Sequence, residues 1–327
     1  MRQIAFREAL REAMSEEMRL DKKVFLMGEE VAEYNGAYKV SQGMLEEFGA
    51  KRVIDTPISE LGFAAIAVGA AQKGLRPIVE FMTWNFAALA LDQILNTASK
   101  MLAMSGGQVS CPIVFRGPGG SAGQLGAQHS TAFESYYANI PGLKVVSVSN
   151  PYDGKGLLKS AIRDPDPVIF MESEVMYGEK GEVPEEEYLI PIGKAAVKRA
   201  GSDVTIVSYN KMMKVALGAA DELAKEGVSA EVIDLRTIRP LDWQTVLESV
   251  KKTNRLVIVE EQWPMCSVSS EVAYRIQKEG FDYLDAPIRR ITSADAPMHY
   301  APNLVAQYLP DVPRTVRLVK EVMYAQK

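Results

Sequence analysis

Residues 52–81 read RVIDTPISELGFAAIAVGAAQKGLRPIVEF, two short β-branched runs on either side of a small-residue apolar stretch. RVID (52–55) and RPIVEF (76–81) read as strands, and 60–73 reads as a helix. Strands joined by a helical crossover run parallel, so this stretch predicts a βαβ unit within a sheet covered on both faces. One residue does not fit simple burial. Glu60 opens the helix, and after it no charge appears until Lys73.

The same alternation extends in both directions. Phe6, Leu10, Ala13, Met14 and Met18 recur at helical spacing, and VFLMG (24–28) reads as a short buried strand. Residues 41–48 suggest a helix, and a long helix is expected over 86–104, followed by strand PIVF (112–115). KVVSV (144–148) and PVIFM (167–171) are two more strands, with a helix over 153–163 between them. Composition shifts at YGEKGEVPEEEYLIP (177–191), rich in Gly, Pro and acid, which reads as a linker. A second series follows: strand 203–209, a helix to about 226, strand 229–234, a helix near 242–251, strand 255–261, helix 268–279 and strand 288–292. The expected class is α/β, with a larger domain over 1–178, a linker over 179–192 and a smaller α/β domain over 193–327.

With 327 residues, 47% hydrophobic and 24% charged, and a net charge of −5, the chain has an ordinary globular composition long enough for two cores. No apolar run is long enough to span a bilayer. Lys and Arg are scattered, which gives no reason to expect nucleic-acid binding. Cys111 and Cys266 match no metal or redox spacing and read as reduced thiols. The opening MRQIAFREALREAMSEEM carries acid throughout and looks like a folded helix rather than a targeting peptide.

Several residues are candidates for chemistry. Glu60 has two open roles: anion in the first turn of a helix capped by Ser59, or a carboxylate held beside an apolar cavity to bond a heteroaromatic ring and move its proton. EFMTWNF (80–86) ends a strand with Met82, Trp84 and Phe86, either core packing or walls for a flat ring. PIVFRG runs into GPGGSAGQLGAQHS (117–130), expected to be a mobile glycine loop; it matches neither a dinucleotide fingerprint nor a P-loop. That loop delivers His129, structural hydrogen-bonder or catalyst. The other histidine, His299 in DAPMHYAP, reads as part of a Pro-rich turn. SAIRDPDP (160–167) places two aspartates about a proline, suiting a turn or a monovalent cation.

Taken together, DTPISELGFAAIAVGAAQKGLRPIVEFMTWNF, PIVFRGP with AQHS, PGLKVVSVSNPYDGKGLLKSAIRDPDPVIF, and RTIRPLD with SVKKTNRLVIVEE resemble the beta subunits of the thiamine-diphosphate-dependent 2-oxoacid dehydrogenases. The likeness covers essentially the whole chain. It implies a transketolase-like pyrimidine-binding domain with a parallel sheet, followed by a smaller transketolase C-terminal domain.

For Glu60 the resemblance implies a hydrogen bond to a ring nitrogen of the aminopyrimidine, favouring the imino tautomer that takes the thiazolium proton. It sets Phe86 against the pyrimidine, with Met82 and Ile58 shaping the cofactor site, and turns His129 toward substrate and the incoming lipoyl group. Ile113, Ala161, Ile162, Asp164 and Asp166 match a structural potassium site of related subunits, Asp166 standing where some relatives have asparagine. Thiamine enzymes carry a Gly-Asp-Gly motif for magnesium and diphosphate. This chain has none, and Tyr152-Asp153-Gly154 is the nearest approach.

The resemblance therefore implies an alpha subunit holding Mg2+ and the diphosphate, in a heterotetramer of two alpha and two beta chains. FMTWNF resembles the pyruvate enzymes, so the implied reaction is oxidative decarboxylation of pyruvate with acetyl transfer to the lipoyl domain of a dihydrolipoyl acetyltransferase. Branched-chain 2-oxoacids or acetoin are the alternatives, and a non-catalytic assembly subunit is the alternative of another class. The implied setting is a bacterial cytoplasm or an organelle matrix.

Overall fold

The computed structural model describes residues 1–324, so the final positions of the expected 193–327 domain lie outside the described residues. The chain opens with β1 (Arg2–Ala5), α1 (Phe6–Leu20) and β2 (Val24–Gly28). Next come α2 (Met44–Phe48), β3 (Val53–Asp55), α3 (Glu60–Gln72) and β4 (Arg76–Glu80). Then follow α4 (Trp84–Ala87), α5 (Met101–Met104), β5 (Val114–Pro118), α6 (Glu134–Ala138), β6 (Lys144–Ser147), α7 (Pro151–Arg163), β7 (Val168–Glu172) and β8 (Lys180–Val183).

The remainder comprises β9 (Ala196–Arg199), β10 (Val204–Ser208), α8 (Met212–Lys225), β11 (Ala230–Asp234), β12 (Thr237–Arg239) and α9 (Trp243–Thr253). It closes with β13 (Leu256–Val259), α10 (Val268–Gly280), β14 (Arg289–Ile291), α11 (Pro302–Tyr308) and α12 (Val312–Met323).

Two largely parallel sheets organise these elements, as the alternation predicts. The first has seven strands in the order β12-β6-β7-β5-β4-β2-β3, and the second has five in the order β14-β13-β10-β11-β9. Within these two sheets, among the described residues, only the edge strands β12 and β9 pair antiparallel. Every residue of β5, β7 and β10 is buried, the signature of strands covered by helices on both faces. Helix α1 lies along α7. There the buried ammonium groups of Lys155 and Lys159 meet Glu16 at 2.6 and 2.5 Å, with Glu12 3.1 Å from Lys155 and Glu17 3.6 Å from Lys159, so the two buried charges are neutralised by three carboxylates.

Four expectations change. The long helix over 86–104 is broken: after α4 comes a 3-10 turn at Ala88–Ala90, then a π-helical segment at Gln93–Ala98, then α5. The inward residues explain this. Trp84, Ala87 and Ala90 are spaced by three and Ile94 and Ala98 by four, so the backbone tightens and then widens to keep one stripe buried. Strand PIVF begins later, at Val114, since Pro112 has no N–H for a ladder. The expected linker over 179–192 contains β8, which pairs antiparallel with β1 at the start of the chain. Its charged outward residues, Lys180 and Glu182, hid it, leaving the loose connection to 184–195. Finally, RTIRPLD does not stay within the second domain: β12 crosses over and adds an antiparallel edge to β6 of the first sheet. Asp153 beneath it pairs with Arg236 at 2.6 Å and with Lys198. The two domains are stitched through backbone as well as side chains.

Among the described residues, no helix is long and apolar enough to cross a membrane.

Candidate functional site

From β2 the chain moves outward to β3, and α3 then carries it back to β4 on the other side of β2. A reversal of this kind opens a crevice at the carboxyl ends of the strands, here between β2 and β4. Around that edge lie Glu29 after β2, Glu60 at the head of α3, Met82 and Phe86 after β4, and His129 beyond β5.

Glu60 is only 4% exposed, although it is the first residue of its helix. The Ser59 hydroxyl makes no capping bond to that first turn. A carboxylate that merely complemented the helix dipole would face water; this one faces inward. Glu29 confronts it, also buried, with its Oε1 lacking any hydrogen-bond partner. Burial first, then the charge of Glu60 and a hydrogen bond to it, push the Glu29 carboxyl up to about 7. Glu29 therefore holds its proton more readily than an isolated carboxylic acid.

Between its ordinary value of 4.5 and about 7, Glu29 is protonated in the folded chain and ionised in the unfolded one. Stability from this group is therefore complete at low pH and lost as pH rises through about 7. Glu29→Gln keeps a donor to Glu60 at every pH. The thermal midpoint of the variant should fall less than the parent's between mildly acidic and mildly basic buffer; equal falls would separate Glu29 from Glu60.

Phe86 and His129, from different loops, are brought together with ring centroids 5.1 Å apart, edge to face. Both are half-buried, as is Met82. A small cleft beside His129 is lined by Tyr38, Thr83, Gly119, Leu125 and Glu174. Ile58 is 85% exposed and belongs to the rim, not an inner wall. Trp84 is fully buried and donates from Nε1 to the Gly117 carbonyl at 2.9 Å, so of the three large residues it serves the core. The glycine loop, expected to be mobile, is tied at two points: Gly120 N–H bonds the Thr131 carbonyl at 3.0 Å, and Gln124 donates to the Tyr300 carbonyl at 3.1 Å. His299 lies exposed in the turn beside that contact.

The residues matched to a cation site are elsewhere, at the amino ends of β5 and β7. The Ile113 carbonyl accepts from Val168 N–H at 2.9 Å, and the Ala161 carbonyl from Asp164 N–H at 3.3 Å. Arg76 donates to the carbonyls of Ile162 and Asp164 at 2.7 and 3.1 Å. Lys144 meets the carboxylates of Asp164 and Asp166 at 2.7 and 3.0 Å. The two carboxylates thus share a single ammonium, and the carbonyls, each already accepting one hydrogen bond, keep a second lone pair for an ion. Such a donor set suits a weakly bound monovalent cation and not a divalent one. Among the described residues, no group of three or more His, Cys, Asp or Glu is placed to hold a metal ion.

Two features escaped the sequence reading. Glu29 is one; its signal was an acid immediately following a buried strand. The other is the ion cluster under the crevice: Arg116, fully buried, donates to Glu172 through Nε at 2.6 Å and also pairs with Glu80. Tyr177 adds a hydroxyl bond to Glu172 at 2.7 Å. The signal was a charge near the end of each of three otherwise apolar strands. Removing one partner would leave an unpaired buried charge, so the cluster rigidifies the floor of the site.

Residues 2–180 match the transketolase pyrimidine-binding domain, and 193–314 match the transketolase C-terminal domain. The fold is also that of a split-gene transketolase described as an inactive beta4 tetramer, with a TM-score of 0.79 over 99% of each chain at 22% identity. Fold and crevice thus define a transketolase-type, two-domain α/β subunit.

The chain is 58% identical to the pyruvate dehydrogenase E1 component subunit beta of Rhizobium meliloti, covering 99% of this chain and 71% of that one. It is 57% identical to the corresponding subunit of Rickettsia felis, over 98% and 99% of the two chains. Identity to the mitochondrial beta-2 subunit of Oryza sativa is 54%, over 99% and 87%. The chain belongs to the family of pyruvate dehydrogenase E1 component beta subunits.

Proposed function

We propose that this chain supplies the pyrimidine-activating half of a pyruvate-decarboxylating, acetyl-transferring site, with Glu60 as its central group. The observation that carries this reading is a buried carboxylate, uncapped by Ser59, facing a second buried acid with an unpartnered oxygen. That pair fits an aminopyrimidine, whose ring nitrogen and amino group need one acceptor and one shared proton. When bound, thiamine diphosphate supplies the electron sink for decarboxylating a 2-oxo acid.

This chain's own residues do the rest. Glu60 bonds the ring nitrogen and keeps a proton there, in a position where low dielectric strengthens the bond. Glu29 receives or returns that proton. Phe86 and Met82 exclude water from the ring, and Ile58 shields the rim. His129, fixed against the edge of Phe86, faces the substrate side and serves proton transfer to an incoming lipoyl sulfur.

An alpha subunit would hold Mg2+ and the diphosphate, since this sequence has no Gly-Asp-Gly. The exposed Ile58, Leu61, Ile66 and Leu89, on and beside α3, support a subunit contact next to the crevice. We extend the reading to a heterotetramer of two alpha and two beta chains, serving the lipoyl domain of a dihydrolipoyl acetyltransferase in a cytoplasm or organelle matrix. Potassium would bind through the carbonyls of Ile113, Ala161, Ile162 and Asp164, with Asp166 beside them. We divide the chain into a pyrimidine-binding domain, a short connection after β8 and a C-terminal domain.

His129→Ala tests the acyl-handling role. In the assembled enzyme, acetylation of a lipoyl domain should fall ~100-fold, the loss expected for a general acid-base group. Affinity for thiamine diphosphate, read by titration, should stay near the parent's. A large loss of affinity with intact acetyl transfer would move His129 from the acyl step to cofactor binding.

A further inference from the structure

Among the described residues of the C-terminal domain, none lines the cleft beside His129, yet that domain grips the loop that carries the histidine. Glu261, just beyond β13, accepts the backbone N–H of Ser121. Lys211, at the head of α8 just beyond β10, donates to the Ser121 carbonyl at 2.5 Å and to its hydroxyl at 2.6 Å. The two side chains neutralise each other at 2.8 Å. One residue is therefore held at both its N–H and its C=O, by an anion and a cation respectively. Strands β10 and β13 are parallel neighbours, so their carboxyl ends present Lys211 and Glu261 side by side. Ser121 and Lys211 are 5% and 6% exposed, which shelters these charge-assisted bonds from salt and water.

The loop's glycines fit the same grip. A Cβ on Gly120 would collide with the Glu261 carboxylate, and one on Gly126 with the Tyr300 ring. Both also have positive φ, +73 and +76, which favours glycine, and a side chain at either would push the Glu261 carboxylate or the Tyr300 ring aside. On the opposite side the first domain holds the loop through Asn85, whose Oδ1 accepts from Thr131 N–H at 3.2 Å. Asn85 is the residue next to Phe86, the ring against which His129 rests. The loop is thus stretched between an anchor beside the cofactor wall and an anchor in the other domain.

We propose that the Lys211–Glu261 pair is a positioning clamp, through which the C-terminal domain sets where His129 stands over the crevice. The proposal rests on the acyl-handling role given to His129 above. Neither clamp residue lines the cleft beside His129. Releasing Ser121 should let the loop shift while Glu29, Glu60 and Phe86, held by other elements, stay in place.

Glu261→Gln and Lys211→Met, each assembled with the alpha subunit, test this, with Lys211→Arg as the conservative variant and His129→Ala as control. Three quantities are read: amide hydrogen exchange across 118–130, acetylation of a lipoyl domain, and affinity for thiamine diphosphate. In the first two variants exchange should rise, and acetylation should fall ~10-fold, within what a misplacement of about 1 Å costs. Affinity should not change, and Lys211→Arg should stay near the parent in all three. Unchanged loop exchange in Glu261→Gln and Lys211→Met overturns the clamp. So does raised exchange with acetylation at the parent rate, or a loss of affinity that tracks the loss of acetylation. If His129→Ala itself acetylates normally, the role given to His129 is what fails. Loop exchange still decides the clamp, because it does not pass through the histidine.

Discussion

Decarboxylation of pyruvate by the assembled enzyme should fall at least ~100-fold when Glu60 is replaced by Gln, the range associated with losing a general acid-base group. Glutamine preserves size and can still touch a ring nitrogen, but its amide cannot exchange a proton with it. The fold should be largely kept, because Glu60 makes no salt bridge among the described residues and α3 is fastened by Phe63, Ala64, Ala67 and Val68 in the core. The variant should assemble with the alpha subunit and bind cofactor with modest loss. Carbon dioxide release per assembled site is the measurement. Near-parent turnover in a correctly assembled variant would return Glu60 to the ordinary part of an anion in a first helical turn, and the neighbouring Glu29 would then need another explanation.

The second large effect is an all-or-none dependence on a partner. Purified alone and supplied with thiamine diphosphate, Mg2+ and pyruvate, this chain should release no carbon dioxide above background, and release should begin when the alpha subunit is added. The crevice offers acids and apolar rings, which suit a pyrimidine. A diphosphate needs compensating positive charge from its metal, and among the described residues no group of three or more His, Cys, Asp or Glu is placed to hold one. Glu29, Glu60 and Glu174 lie at or near that edge and would repel an uncompensated diphosphate. Robust release by the lone chain would mean that this sequence contains a diphosphate site in a form neither its motifs nor its side-chain clusters reveal.

Most of the architecture was readable because parallel strands, buried on both faces, leave unbroken β-branched runs such as those of β4, β10 and β13, with helices between them. What escaped reading was whatever depends on a partner distant in sequence. Residues 180–183 look like linker until β1 lies beside them. The stretch 86–104 has helical composition, and only the wall it packs on forces the changes of pitch.

The site divides in the same way. Glu60 stood out as a charge opening an apolar helix; Phe86 and His129 were each singled out alone, and their edge-to-face contact was not foreseen. Glu29 was hidden because its meaning lies in its proximity to Glu60. The grip on Ser121 was hidden because Lys211 and Glu261 are individually ordinary strand-end charges, separated from it by 90 and 140 positions. A glycine-rich loop reads as freedom when the sequence alone is considered; here the glycines make room for side chains from another domain.

The crossing of β12 onto β6 also has a consequence for biogenesis. The seven-stranded sheet is missing its last strand until Thr237–Arg239 has emerged from the ribosome, well after the other six have been made. Until then β6 presents an open row of backbone donors and acceptors, the kind of edge on which nascent chains adhere to one another. At typical rates of synthesis the interval between β8 and β12 lasts on the order of seconds. A transcript cut short between the domains would leave that edge permanently bare, so a fragment ending near residue 192 is a substrate for chaperones and proteases rather than a working half.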